Sequence, residues 1–98
     1  MRWFTLAAGT ALAGASQVAR VEQGYATAQS NLGNMYANGQ GVPEDDVLAY
    51  MWWNLAAAQG YEDAQGNKDR LEQLLTREQI AEAQRLSREW LAAHPSGN

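Results

Sequence analysis

Between residues 25 and 38 the apolar side chains fall at Ala28, Leu32, Met35 and Tyr36. That is the i, i+4, i+7, i+8 spacing of one helical stripe, so this segment is expected to form an amphipathic helix. Residues 47–53 (VLAYMWW) are apolar throughout, and 55–58 (LAAA) extend the run. A helix that is apolar all round must be covered on several sides. Trp52 and Trp53 point about 100° apart on such a helix. One is therefore expected to pack on its hairpin partner and the other on an adjacent unit. Gly33, Ala49, Ala56 and Ala57 are small enough to let the helices approach closely.

The segment between the two helices reads as a turn. Gly39 stands where a left-handed C-cap is wanted, and Gly41 permits a second unusual backbone angle. Val42 is placed to plug the loop into the core. Pro43 blocks continuation of the first helix and favours the start of the next. Asp45 is the expected N-cap, with Glu44 and Asp46 adding negative charge at the positive end of the second helix. That helix should run to about Gln59, where Gly60 stops it.

Further on, a helix from about Ala64 to Leu75 carries Leu71, Leu74 and Leu75. Thr76 with Gln79 forms a capping box for a last helix. In that helix Ile80, Ala83, Leu86, Trp90 and Leu91 make an apolar face. Glu78, Glu82, Arg85 and Glu89 occupy the other side, with Glu82–Arg85 and Arg85–Glu89 at pairing distance. Pro95 ends the helix, and the residues after it should fray.

The chain also repeats. GYATAQ at residues 24–29 returns as GYEDAQ at 60–65, an offset of 36. A period between 20 and 50 residues is the mark of a solenoid. The apolar match stops after Gln65: Leu32 would align with Lys68, Gly33 with Asp69 and Tyr36 with Glu72. The organisation expected is an N-terminal segment over 1–23, one complete repeat over 24–60, a degenerate repeat with capping helices over 61–93, and a frayed tail over 94–98.

Residues 28–60 resemble the Sel-1-like repeat, a relative of the tetratricopeptide repeat. The resemblance is carried by Ala28, Leu32, Gly33, Tyr36, Gly39, Gly41, Val42, Pro43, Asp45, Ala49, Trp52, Trp53, Ala56, Ala57 and Gly60 in their order and spacing. Residues 68–90 resemble the closing helices of many bacterial members. The resemblance implies an all-α fold, a right-handed α/α superhelix of antiparallel hairpins with C-terminal capping helices. It also implies a scaffold or adaptor that binds a protein or peptide, with no shared active site. The departure is copy number, because members usually stack several units and this chain carries one good one.

Composition narrows the functions that remain. Hydrophobic residues make up 46% of 98, which suits one small globular domain. The net charge is -4 with no cluster of Lys and Arg, so the phosphate contacts that drive nucleic-acid binding are lacking. The absence of Cys excludes thiol catalysis and Cys-ligated zinc. Residues 1–15 read either as a secretory signal peptide with a small-x-small site ending at Ala15, or as a first helix. The helix reading has an internal echo, WFTLAA at 3–8 against WWNLAA at 52–57. Cleavage would place the chain in the periplasm or outside the cell; a structural helix would leave it cytoplasmic. Loss of that helix would also expose the N-terminal end of the stack to self-association. No apolar run is continuous enough to span a membrane.

The sequence carries few residues arranged for chemistry. The glycines of the turn do not make a nucleotide loop: a G-x-G-x-x-G match needs Gly where Glu44 stands, and a phosphate loop needs Lys where Val42 stands. Glu44, Asp45 and Asp46 lack the ligand spacing of a calcium loop and read as helix caps. Glu62 and Asp63 suit a helix start better than a glycosidase carboxylate pair. His94, the only histidine, lies at a helix C-terminus, where a cation is favoured. No catalytic residue, cofactor or metal site is expected. An enzymatic alternative comes from the resemblance, since cysteine-rich relatives have been linked to β-lactam binding or hydrolysis; the lack of Cys counts against it.

One polar pattern remains. Thr27, Asn31, Asn34 and Asn38 are spaced by four, three and four, opposite the apolar stripe. Asn is a mediocre helix former, so three along one face call for a reason. Amides donate and accept together, which suits the backbone of an extended peptide. The stripe would lie on the concave surface implied by the resemblance.

Overall fold

The computed structural model describes residues 25–95, whose regular structure is four α-helices. They are α1 (Ala26–Asn38), α2 (Asp46–Ala58), α3 (Glu62–Glu72) and α4 (Arg77–Ala93). Both readings of residues 1–15, and the frayed end at 96–98, lie outside the described residues.

The turn from α1 to α2 forms as its residues dictate. Gly39 closes α1 at φ 67°, and its N–H donates to the Met35 carbonyl. Gln40 N–H donates to that same carbonyl at 3.0 Å. Gly41 takes φ 78°. Val42 is buried, and Asp45 N–H donates to the Tyr36 carbonyl at 2.9 Å, tying the loop back to α1. The Asp45 carboxylate then caps α2 by accepting from Leu48 N–H at 3.0 Å. Gln59 Nε2 donates to Gln29 Oε1 at 2.7 Å, so the end of α2 meets the start of α1 and the hairpin is antiparallel.

The sequence repeat is a repeat of structure. Helix α3 begins 36 residues after α1, at Glu62 against Ala26. Tyr25 and Tyr61 precede the two helices in the same extended conformation, and Gly60 turns the chain at φ 89°. Ala28 and Ala64, 36 apart, are both buried.

Helix α2 is the core. Ala49, Tyr50, Met51, Trp52, Trp53, Leu55 and Ala56 are all buried, because α1, α3 and α4 each pack on it. The two tryptophans divide as their angular separation requires. Trp53 lies against Gly33 of α1. Trp52 meets Trp90 of α4 edge to face, with centroids 5.8 Å apart. Polar links tie α2 to the later helices: Tyr50 Oη donates to Glu72 Oε2 at 2.5 Å, Lys68 Nζ to Asn54 Oδ1 at 3.3 Å, and Asn54 Nδ2 to Ser87 Oγ at 3.1 Å.

Three expectations need correction. The covered face of α1 is Ala28, Gln29, Ser30, Gly33 and Tyr36, while Leu32 and Met35 are only half-buried. The helix is rotated toward its small and polar residues because Trp53 demands room beside Gly33. Helix α3 ends at Glu72 rather than Leu75. A turn follows, in which Leu74 and Leu75 N–H both donate to the Leu71 carbonyl. That turn leaves Leu74 78% exposed. Leu91 is half exposed, because the inward face of α4 runs through Ala83, Leu86, Ser87 and Trp90.

The capping box at the start of α4 is present in both halves. Thr76 Oγ1 accepts from Gln79 N–H at 3.1 Å, and Gln79 Oε1 accepts from Thr76 N–H at 2.9 Å. Arg85 bridges Glu82 and Glu89 on the outer face. No helix among the described residues is long and apolar enough to cross a membrane.

Candidate functional site

The first helices of the two repeat-related hairpin positions, α1 and α3, leave a cleft of about 450 Å³ between them. One wall is Ser30, Asn31 and Asn34 of α1; the other is Tyr61, Glu62, Asp63, Gly66, Asn67 and Arg70 at and along α3. Asn31 and Asn67 are 36 residues apart, so the repeat places an amide at the same position on both walls.

Asn34 is oriented from below. The Trp53 indole N–H lies 3.2 Å from the Ser30 carbonyl and 3.2 Å from Asn34 Oδ1. An indole nitrogen only donates, so the Asn34 oxygen must face Trp53 and its NH₂ is left for the cleft. On the opposite wall, Arg70 donates to Asn67 Oδ1, which likewise commits the Asn67 oxygen and leaves its NH₂. The cleft therefore offers amide donors from both sides. Gly66 contributes no side chain, which keeps the α3 wall low.

Charge is separated along this cleft. Glu62 and Asp63 occupy the first turn of α3, and Arg70 its last. Each complements the helix dipole where it stands. The neighbouring charges on α3 are engaged elsewhere: Lys68 reaches Asn54 on α2, and Asp69 accepts from Gln65 Nε2 at 2.8 Å.

Of the four polar residues singled out in α1, all are exposed. Asn31 and Asn34 line the cleft; Thr27 and Asn38 do not. Ser30, Tyr61, Gly66, Asn67 and Arg70 were not anticipated from sequence. The offset of 36 was the available signal, since it carries Asn31 onto Asn67 and Asn34 onto Arg70. Leu32 and Tyr36 lose their apolar counterparts at Lys68 and Glu72, whereas Asn31 and Asn34 still meet polar residues at Asn67 and Arg70.

The remaining candidates have structural roles. Asp45 is a cap, as described. His94 is the C-cap of α4, with Nδ1 2.9 Å from the Trp90 carbonyl and its ring stacked on Trp90 at 4.1 Å and 13°. A smaller cavity of about 310 Å³ lies beside this pair, between Gln29, Leu55, Gln59 and Leu91.

Comparison with known proteins places residues 26–61 as a match to the Sel1 repeat. No curated protein and no solved structure matches the chain.

Proposed function

Because residues 26–61 match the Sel1 repeat, we propose that this chain is an interaction module that receives an extended peptide segment of a partner protein in the α1–α3 cleft. The Sel1 repeat is a helical module that typically mediates protein–protein interaction. The observation that carries the proposal is the pair Asn31 and Asn67, one repeat apart and on opposite walls of one cleft. With Asn34 held by Trp53, three amides line one cleft. An extended backbone presents alternating donors and acceptors: the NH₂ groups of Asn34 and Asn67, whose oxygens are committed, can meet its carbonyls, and Asn31 can donate or accept.

A partner helix fits less well. Helix-in-groove recognition needs apolar pockets at helical spacing, and the cleft walls are polar apart from Tyr61. The enzymatic reading finds no support in a nucleophile beside a base at this cleft: its titratable groups are Tyr61, Glu62, Asp63 and Arg70.

The test is affinity capture of a partner, followed by titration of the isolated partner against wild type and an Asn31→Ala, Asn34→Ala, Asn67→Ala variant. Ala favours helix, so the variant should keep its circular dichroism. Weakened binding supports the proposal, and unchanged binding contradicts it. Sustained turnover of nitrocefin would favour the β-lactam reading instead.

A further inference from the structure

Resting on the reading of the α1–α3 cleft as a peptide site, we infer that its partner is an extended segment carrying a basic and an acidic side chain four residues apart. The cleft has a negative end at Glu62 and Asp63 and a positive end at Arg70. Eight residues of helix separate Glu62 from Arg70, a rise of about 12 Å at 1.5 Å per residue. An extended chain covers that distance in about four residues at roughly 3.3 Å each.

Between the two ends the lining is uncharged: Ser30, Asn31, Asn34, Gly66 and Asn67. The middle of the ligand is therefore held by its backbone, and the ends by charge. Arg70 is steadied over the cleft by Asn67, which reduces the freedom it must lose on meeting a carboxylate. Glu62 and Asp63 make no side-chain ion pair among the described residues, so a ligand cation meets acids that no lysine or arginine already neutralises. A uniformly acidic segment is repelled at one end of this cleft, and a uniformly basic one at the other. Either chain direction satisfies the arrangement, since only the separation of opposite charges is specified.

Nuclear magnetic resonance titration of the full chain tests this, with acetyl-KTVSE-amide as the probe and the peptides KTVSK, ETVSE and QTVSQ, blocked in the same way, as comparisons. The bipolar peptide should bind at least about threefold more tightly than either like-charged peptide at low salt, the scale of one or two exposed charge pairs. The preference should shrink at 0.5 M salt. Arg70→Glu makes both ends acidic and should move the preference to KTVSK. Circular dichroism checks that this variant remains helical, and Gly66→Leu, which obstructs the middle of the cleft, should abolish binding of every peptide. Equal binding of all four peptides, lost in Gly66→Leu, would overturn the charge assignment while leaving the peptide cleft standing. Binding of none would overturn both.

Discussion

The Trp53 indole fills the place a side chain on Gly33 would take: a Cβ built on Gly33 would fall 2.5 Å from both Cδ1 and Nε1 of that ring. The same indole N–H reaches the Ser30 carbonyl and Asn34 Oδ1. One close approach thus joins the packing of the hairpin to the orientation of a cleft residue. Gly33→Ala adds a good helix former, yet it should destabilise the fold by about 1–3 kcal/mol through overpacking. Urea unfolding measures this. A variant as stable as wild type would show that the ring has room to move.

Gly39 offers a backbone test. At φ 67° it holds a conformation that a β-branched residue disfavours strongly. Gly39→Val should lower stability by more than about 1 kcal/mol, and Gly39→Asn by less, because Asn tolerates the left-handed region. Thermal melts of the three proteins should rank Gly, Asn, Val from most to least stable.

Tyr50 predicts a pH dependence. Burial, the hydrogen bond to Glu72 and the negative charges of Glu72 and Asp69 together push its phenol well above the usual tyrosine value. The folded state therefore holds this proton at pH values where the unfolded chain releases it. Stability from this group is full below about pH 10, the unfolded value, and declines as the pH rises above it. Urea midpoints taken from pH 8 to 11 should fall in wild type above pH 10, and less steeply in Tyr50→Phe. Parallel curves would remove Tyr50 as the cause.

The cap of α4 is legible locally and should behave so. Thr76→Ala removes one half of the capping box and should cost about 1 kcal/mol. Thr76→Ser, which keeps the hydroxyl, should cost less. Denaturant midpoints of the two variants decide it.

Local chemistry explains which parts of the structure could be read in advance. Gly39, Gly41, Asp45, Thr76 and Gln79 act on their immediate neighbours, so their sequence context was sufficient for the turn and both caps. That Trp52 and Trp53 would face different neighbours followed from helical geometry, but which one meets α1 and which meets α4 did not. The buried face of α1 did not, because it is set by a ring arriving from α2. Gln29 and Ser30 are buried there for a tertiary reason, and no periodicity within α1 announces it. The cleft was half legible for a related reason. Asn31 and Asn34 stood out as costly residues in a helix, but their counterparts Asn67 and Arg70 lie on a helix whose apolar pattern no longer matches the repeat. Leu74 and Leu91 misled because hydrophobicity suggested burial, while the end of α3 and the orientation of α4 turned them outward.

The most direct test of the peptide cleft is Gly66→Leu, because it separates binding from folding. A Cβ at Gly66 would meet only Arg70 Nη1, at an ordinary 3.7 Å, and its φ is not among the positive values. Replacing a helical glycine there should leave the protein at least as stable, by up to about 1 kcal/mol. The leucine side chain would stand in the middle of the cleft. Titration of the captured partner against this variant should show binding lost by tenfold or more, with an unfolding midpoint equal to or above that of wild type. Undiminished affinity in a protein of that stability would contradict the assignment of the α1–α3 cleft as the binding site.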